Sequence, residues 1–220
     1  MIPYYQDNFV TIYHADSTIL SLEADIIITD PPYGTGGWRR PSTGLGSNPS
    51  ASLVKEVWDE GAVNWVTGDI PVISFWPSSR SSYLLNRANE VGLDKHRLVY
   101  WQKPDPKPQF GGRISWSVEP IWVLTKEGVL LYGKTDFYRE SAIRKNRNAE
   151  AVDHPYQKPE SVMRWLISMV KEELILDPFM GSGTTLVAAK SVGRKAVGIE
   201  IDEAYCEIAA NRCRQDILGL

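Results

Sequence analysis

Residues Ile175 to Ala189, ILDPFMGSGTTLVAA, combine a short apolar run, a glycine turn and a helical pattern. In an α/β protein, a strand that leads through such a turn into a helix places a ligand at the carboxyl end of the strand. Gly181 and Gly183 permit a close backbone approach, and the amides at the start of the helix attract an anion such as a carboxylate. The stretch therefore predicts an α/β fold with a ligand site at this turn.

The residues around this turn favour a nucleoside ligand. Gly183 is followed by Thr184 rather than by the lysine of a phosphate-binding loop, and Leu186 stands where a dinucleotide fingerprint has its third glycine. Glu200 ends the next predicted strand near the offset at which an acid binds a ribose. Asp177, at the end of the strand, suits a cationic amine. A carboxylate, an amine and a ribose together indicate S-adenosylmethionine rather than NAD, with a plain tight turn as the alternative.

A second apolar run leads into an unusual tetrapeptide in IIITDPPYGTGGW, Ile26 to Trp38. Its continuous apolar character is typical of a strand buried on both faces. The carboxylate of Asp30 and the carbonyl of Pro31 could accept the hydrogens of an exocyclic base amine, and Tyr33 could stack on the base. Proline fixes its backbone φ angle and so holds that carbonyl in place. A turn, or a proline-rich ligand for another domain, is the alternative, but such a ligand does not fit directly behind a buried strand.

The rest of the chain alternates strand-like and helical patterns, which predicts one α/β domain over residues 1–220. Predicted strands cover 9–16, 24–30, 70–76, 96–103, 118–125, 173–179 and 195–201. Predicted helices cover 51–60, 79–91, 158–171, 183–193 and 202–215. Residues 138–156 are predicted to form a loop or a short helix. Because the carboxyl ends of parallel strands share one edge of a sheet, Asp30 and the Gly181 turn should lie on the same edge.

Composition limits the class of protein. The net charge of −3 gives no general support for nucleic-acid binding, and no apolar run approaches the roughly 20 residues needed to cross a bilayer. The first ten residues lack the layout of a signal peptide. Cys206 and Cys213 fall in one predicted helix, about 10 Å apart, which is too far for a disulfide. We therefore expect a cytoplasmic protein with no membrane partner and no metal.

Four motifs in order resemble the β group of S-adenosylmethionine-dependent DNA amino-methyltransferases, which methylate adenine N6 or cytosine N4. They are TDPPYG, the central stretch WQKPDPKPQFGGRISWSVEPIWVLTK, HPYQKP at His154 to Pro159, and DPFMGSGTT. The resemblance covers nearly the whole chain. It implies a Rossmann-like class I fold with a seven-stranded, mostly parallel sheet, one antiparallel strand and a circularly permuted motif order.

The resemblance also implies the site residues. The catalytic residues would be Asp30, Pro31, Pro32 and Tyr33, and the cofactor site would comprise Asp16, Lys158, Asp177, Phe179, Gly181, Ser182, Gly183, Thr184 and Glu200. Aspartate at the first catalytic position is typical of adenine N6 enzymes, whereas cytosine N4 enzymes more often carry serine there. We therefore expect methyl transfer from S-adenosylmethionine to the N6 amine of an adenine flipped out of DNA.

DNA contact is expected at local basic sites, because the chain as a whole is acidic. These sites are Trp38, Arg39 and Arg40, together with Arg113, Arg139, Arg144, Lys145 and Arg147; the last run would otherwise be an ordinary solvated face. Residues 34–50 would form a mobile loop beside the active site. The target-recognition segment would be reduced to 127–153, so sequence discrimination would be weak, or a homodimer or a specificity partner would supply it.

Other interpretations stay open on the sequence alone. The same motif type could serve cytosine N4, an RNA base or a protein glutamine amide, and a non-catalytic subunit that binds cofactor or DNA belongs to a different class. Cytosine C5 methylation is disfavoured because it needs a nucleophilic cysteine, and both cysteines lie in the last predicted helix.

Overall fold

The structure is a computed structural model that describes residues 1–17, 22–32, 63–68, 70–104, 117–127, 131–133, 135–139, 157–171 and 173–215. The predicted helix at 51–60 and the predicted loop at 34–50 lie outside these residues. So does most of the 127–153 segment.

The described residues form one sheet in the order β1-β2-β9-β8-β3-β4-β6-β5-β7. The strands are β1 (Tyr5–Gln6), β2 (Val10–His14), β3 (Ile26–Thr29), β4 (Val72–Phe75), β5 (Lys95–Gln102), β6 (Val118–Thr125), β7 (Phe137–Arg139), β8 (Leu174–Asp177) and β9 (Lys195–Glu200). From β2 to β5 the sheet has seven strands, of which only β6 runs antiparallel to its neighbours. The predicted fold class is confirmed.

Two short edge strands extend this seven-stranded core. β1 pairs antiparallel with β2, and β7 pairs parallel with β5. The prediction of a loop or short helix was wrong for Tyr138 and Arg139, which lie in β7. Three residues are too few to show a two-residue period, and this strand is defined by its pairing with β5 and by the Tyr138 ring, which packs 5.2 Å from the ring of Trp165.

Four α-helices flank the sheet in the described part of the chain. They are α1 (Ser81–Glu90), which follows a 3-10 turn at Ser78–Arg80, α2 (Glu160–Ser168), α3 (Thr184–Ser191) and α4 (Glu203–Arg214). The start of α4 is capped by Asp202, whose carboxylate accepts a hydrogen bond from the Ala204 amide at 2.9 Å. None of the described helices is long and apolar enough to span a membrane.

The alternating side chains of β3 explain why its sequence is apolar throughout. Ile26 and Ile28 pack in one core with residues of α2, α3 and α4, whereas Ile27 packs in the other core with residues of α1. Both faces of the strand are therefore covered, as the sequence predicts. The strand is held in place over its whole length, and Asp30 follows directly from it.

β3 and β8 are neighbours in the sheet, although they are far apart along the chain. They pair in parallel, with Ile26 opposite Ile175 and Ile27 opposite Leu176. Their carboxyl ends, together with those of β2, β9, β4 and β5, form one edge of the sheet, which we call the strand rim. The start of the antiparallel strand β6 lies on the same rim.

Candidate active site at the strand rim

The tips of β3 and β8 are joined by a direct side-chain contact. The Thr29 hydroxyl donates a hydrogen bond of 2.6 Å to Oδ1 of Asp177, across 148 residues of sequence. The predicted catalytic tetrapeptide begins at the next residue after Thr29, Asp30, and the glycine turn begins four residues beyond Asp177. The structure thus confirms that the two predicted motifs open on the same rim.

Asp177 is bonded to the protein rather than exposed to the crevice. Its carboxylate also accepts hydrogen bonds from the Phe179 amide at 3.1 Å and from the Thr185 hydroxyl at 2.5 Å, and the residue is 3% exposed. Burial raises the pKa of Asp177 to about 6, against the lowering effect of these hydrogen bonds. In this structure Asp177 therefore holds the glycine turn to the strand tips, and its pairing with a cofactor amine stays a prediction.

The two glycines of the turn differ in what surrounds them. Both have left-handed backbones, with φ of +51° at Gly181 and +79° at Gly183. A Cβ added at Gly181 would meet no atom within 4 Å, whereas one at Gly183 would lie 2.7 Å from the Cβ of Ala209 in α4. Open space suits a ligand at Gly181. At Gly183 the close neighbour is helix α4. The sequence-based explanation, that this glycine permits close approach of a ligand, is therefore corrected: it permits close approach of a helix.

Ser182 and Thr184 are buried beneath an arginine that the sequence analysis missed. One guanidinium nitrogen of Arg212 donates to the Ser182 carbonyl at 2.7 Å and to the Thr184 hydroxyl at 3.1 Å. These contacts tie α4 to the turn. No local pattern indicates them, because the partners lie 30 and 28 residues apart.

Two acidic residues stand at neighbouring strand tips beside the turn. Glu200 ends β9 and accepts hydrogen bonds from the Gly181 amide at 3.0 Å and the Asp202 amide at 2.9 Å. Burial raises the pKa of Glu200, against the lowering effect of these amides. Asp16 follows β2, whose end is joined to β9 by the Ala15 amide and the Glu200 carbonyl at 2.9 Å. Carboxylates so placed suit the hydroxyl groups of a ribose.

Phe179 packs against the hydrophobic core on the α1 side of the sheet, and not against the core that contains α3 and α4. Its ring packs edge-on against Trp65, with centroids 5.9 Å apart, and both belong to or border the core formed with α1. Phe179 is partly exposed and Trp65 is buried. The pair gives the turn a fixed aromatic flank, and Trp65 had not been singled out from the sequence.

The catalytic and HPYQKP motifs meet at an ion pair. The Lys158 ammonium lies 3.1 Å from Oδ2 of Asp30, whose side chain is 26% exposed. Pro31 is buried and Pro32 is exposed. Lys158 is predicted to lie near the cofactor, and the structure places its ammonium against Asp30, the first residue of the predicted catalytic motif.

Lys158 also pairs with Glu119, the second residue of β6, and Glu119 pairs in turn with Lys103 at 2.9 Å. The Lys158 ammonium lies 4.5 Å from the centroid of the Phe75 ring. Glu119 is not among the predicted site residues, because the pattern that predicts the site lies at the ends of strands, and β6 is reversed so that its start lies on the rim. The available signal was an acid-proline pair at the start of an otherwise apolar strand.

Several predicted site residues lie outside the described residues. These are Tyr33, Trp38, Arg39, Arg40, Arg113, Arg144, Lys145 and Arg147. Arg139 is described and is exposed at the end of β7.

Two further observations concern the chemistry. No group of histidine, cysteine, aspartate and glutamate side chains in the described ranges could hold a metal ion. Cys206 and Cys213 are buried, and burial raises the pKa of each thiol to about 12. Neither thiol suits a cysteine nucleophile at neutral pH, which agrees with the expectation against C5 methylation.

Comparison with known proteins gives one family. The family model described as DNA methylase, of the N6 and N4 methyltransferases, matches residues 24–211. The chain is 29% identical to the Type II methyltransferase M2.DpnII of Streptococcus pneumoniae, over 96% of this chain and 91% of that protein. It is 30% identical to the Type II methyltransferase M2.LlaDCHI of Lactococcus lactis subsp. cremoris, with the same two shares.

Among solved structures, that of the M1.HpyAVI–SAM complex has a TM-score of 0.64 at 25% identity and covers 94% of this chain and all of that one. The chain therefore belongs to the DNA methylase family, and the predicted class of S-adenosylmethionine-dependent DNA amino-methyltransferase is confirmed.

Proposed function

We propose that this chain transfers the methyl group of S-adenosylmethionine to the N6 amine of adenine in DNA, at Asp30, Pro31 and Tyr33. The observation that carries the proposal is the contact between the tips of β3 and β8, where Thr29 donates to Asp177 at 2.6 Å. It puts the tetrapeptide that would hold the amine beside the turn that would hold the cofactor. Aspartate at position 30 supports adenine over cytosine, by resemblance.

The residues of the turn fit the cofactor. Gly181 has open space where a side chain would stand, so the backbone is accessible there. Glu200 and Asp16, at adjacent strand tips, would bind the ribose and the adenine end. Phe179 would flank the purine, and Ser182, Gly183 and Thr184 would act by holding the turn, because they are bonded to or packed against α4.

S-adenosylmethionine, when bound, supplies an electrophilic methyl group. The chain's part is to make the amine nucleophilic and to aim it. An exocyclic amine is a poor nucleophile because its lone pair is delocalised into the ring. The Asp30 carboxylate and the Pro31 carbonyl would accept hydrogen bonds from its two N–H groups and so direct the lone pair at the methyl. Pro31 is buried, so this carbonyl is held rigidly.

DNA must present an unstacked base to this site, because a paired adenine cannot reach Asp30. Tyr33 would stack on the flipped base, and Pro32, which precedes it in the chain, is exposed. DNA contacts are proposed at Trp38, Arg39, Arg40, Arg113, Arg139, Arg144, Lys145 and Arg147, with Trp38 stacking on the base or filling the gap that it leaves. Since 127–153 is short, sequence discrimination would be weak or would come from a second copy or a specificity partner.

The identity of the methylated nucleoside tests the proposal. The protein is incubated with S-adenosylmethionine labelled in its methyl group and with unmethylated genomic DNA, RNA or protein extract, and the products are digested. We expect label only in N6-methyl-2′-deoxyadenosine, from DNA. As a control, DNA whose adenines are already N6-methylated should take up none. Label in N4-methylcytosine would overturn the choice of base, and label only in RNA or protein would overturn DNA as the substrate.

A further inference from the structure

The reversed direction of β6 brings an extra carboxylate to the strand rim. β6 runs antiparallel to both neighbours, with Ile121 opposite Phe75 of β4 and Glu119 opposite Trp101 of β5. Phe75 is the last residue of β4, so Glu119 lies beyond the end of that strand. A parallel strand would have placed its last residue there instead of its second.

Four charged residues of alternating sign follow the rim from β3 to β5, and we call them the rim charge row. Asp30 lies 3.1 Å from Lys158, Lys158 contacts Glu119, and Glu119 lies 2.9 Å from Lys103. The side chains of Lys158 and Glu119 are 14% and 15% exposed, whereas that of Lys103 is 41% exposed. The inner members are therefore shielded from water, and the row reaches solvent at Lys103.

The buried members of the row stay charged because each has two partners. Burial alone would lower the pKa of Lys158, but the charges of Asp30 and Glu119 raise it above its usual value. Burial alone would raise the pKa of Glu119, but Lys158 and Lys103 lower it. Asp177, whose pKa the Asp30 charge helps to raise, is a further ionisable neighbour. A shielded charge that loses one of its partners is costly to keep.

We propose that Glu119 is a positioning residue for methyl transfer: it fixes the Lys158 ammonium over the Phe75 ring and shares its charge, so that Asp30 stays able to accept a hydrogen bond from the target amine. The inference rests on the proposed function. Without Glu119, Lys158 would have Asp30 as its one anionic partner in the row and would compete with the substrate amine for that carboxylate. The row would also change from net neutral to a charge of +1, beside a site that must accept a sulfonium cation.

Glu119→Gln is the direct test, since glutamine keeps the size and removes the charge. We expect kcat to fall at least about tenfold, the loss expected for a hydrogen bond to a charged group. The loss in kcat should also shrink at high pH, because Lys158 without one of the two anions that raise its pKa gives up its proton at lower pH and then no longer competes for Asp30. Glu119→Asp keeps the charge and should recover part of the rate. Glu90→Gln, which removes an exposed carboxylate on α1, is the matched control and should behave as wild type.

A second pair of variants separates positioning from folding. If Glu119 acts through Lys158, then Lys158→Gln with Glu119→Gln should be no slower than Lys158→Gln alone. Lys103→Gln alters only the exposed end of the row and should fold; it should move the acidic limb to higher pH, because Glu119 loses a cation that lowers its pKa.

Each outcome has one meaning. An unchanged kcat and pH profile in a folded Glu119→Gln enzyme, or losses that multiply in the double variant, would overturn the role of Glu119. If Glu119→Gln does not fold, an unchanged profile in Lys103→Gln overturns it. A wild-type protein that methylates no DNA would overturn the proposed function, and this inference with it, whatever the variants do.

Discussion

Asp177 shows how one residue sets the chemistry of the turn. It ends β8 nearly without exposure, and its carboxylate is held by Thr29, Thr185 and the Phe179 amide. Burial disfavours the charged form strongly enough to raise the pKa to about 6 despite those three hydrogen bonds. Asp177 therefore fixes the geometry of the rim, and its ionisation lowers the stability of the folded protein.

This cost predicts a pH-dependent stability. Because the pKa of Asp177 is higher in the folded protein, about 6, than the ordinary 3.8, the folded state binds the proton more tightly. Its stabilising contribution is fully present below the ordinary value and is lost as the pH rises through about 6. Asp177→Asn removes this dependence. Between about pH 4 and pH 7 the unfolding free energy of wild type should fall relative to the variant by up to about 3 kcal/mol.

Urea unfolding of both proteins without cofactor, at several pH values across that window, measures the difference. Stability curves that run parallel for wild type and Asp177→Asn would show that Asp177 has an ordinary pKa in the folded protein. A curve in which the wild type gains stability relative to the variant as the pH rises would reverse the sign and contradict the assignment.

For single residues, the sequence indicated which residues stand at the strand rim, but it did not indicate which atoms they contact. Asp177 was expected to face the cofactor amine, but it contacts two hydroxyl side chains of the protein. The local sequence is the same whether an aspartate at the end of a strand faces a ligand or bonds to the protein. Here the partner Thr29 is 148 residues away, so the local sequence does not indicate it. Glu119 was missed for a related reason, because its place on the rim depends on the direction of a strand.

The packing of α4 on the glycine turn constrains how two helices meet. Gly183 directly precedes α3, and its Cα faces the backbone and Cβ of Ala209 in α4. Any side chain at 183 would have to push the two helices apart. Arg212 reinforces the contact from the same helix.

Gly183→Ala should therefore destabilise the protein more than Gly181→Ala. Both changes strain a left-handed backbone, by about 1–2 kcal/mol. Only the first adds a clash, with a Cβ–Cβ distance of 2.7 Å, which overpacking data put at about 1–3 kcal/mol more. Thermal or urea unfolding measures both changes.

Adding Ala209→Gly to Gly183→Ala removes the clashing methyl and should restore part of the loss, less about 1 kcal/mol for glycine inside a helix. Equal destabilisation by the two single variants would mean that α4 moves away from the turn without cost. That result would contradict the tight contact.

The sequence predicted those strands that are buried on both faces and those helices whose apolar residues repeat with the helical period. β3 and β8 followed from apolar runs, and α2 from apolar residues spaced at i, i+3, i+4, i+7 and i+8. Of these residues Val162, Leu166, Met169 and Val170 are buried and Trp165 is partly buried. The edge strands β1 and β7, of two and three residues, were missed. Such strands exist because a neighbouring strand offers backbone partners, and nothing in their own residues indicates that.

The protein as a whole carries a net charge of −3, so DNA binding must depend on local positive charge. Arg144, Lys145 and Arg147 are the proposed phosphate contacts. Changing all three to alanine should make the slope of log binding constant against log salt shallower by about 0.9 for each phosphate that is no longer neutralised. Lys95→Ala is the control, because Lys95 begins β5 at the edge opposite the rim.

Fluorescence anisotropy of labelled duplex DNA over a salt series measures these slopes. An identical slope in wild type and the triple variant would place the phosphate contacts elsewhere. A slope changed as much by Lys95→Ala would show that the effect is one of overall charge rather than of a specific site.

Methyl transfer at Asp30 on the strand rim is the event on which every proposed role depends, and single-turnover methylation by Asp30→Asn is its decisive test. Asp25→Asn is the matched control, since Asp25 precedes β3 at the opposite edge and binds the Glu173 and Leu174 amides. We predict that Asp30→Asn loses at least about a hundredfold in rate at saturating S-adenosylmethionine, as expected when a group that stabilises the transition state is removed. Cofactor affinity and Asp25→Asn should stay near wild type. An Asp30→Asn enzyme that methylates DNA at the wild-type rate would contradict the proposed mechanism.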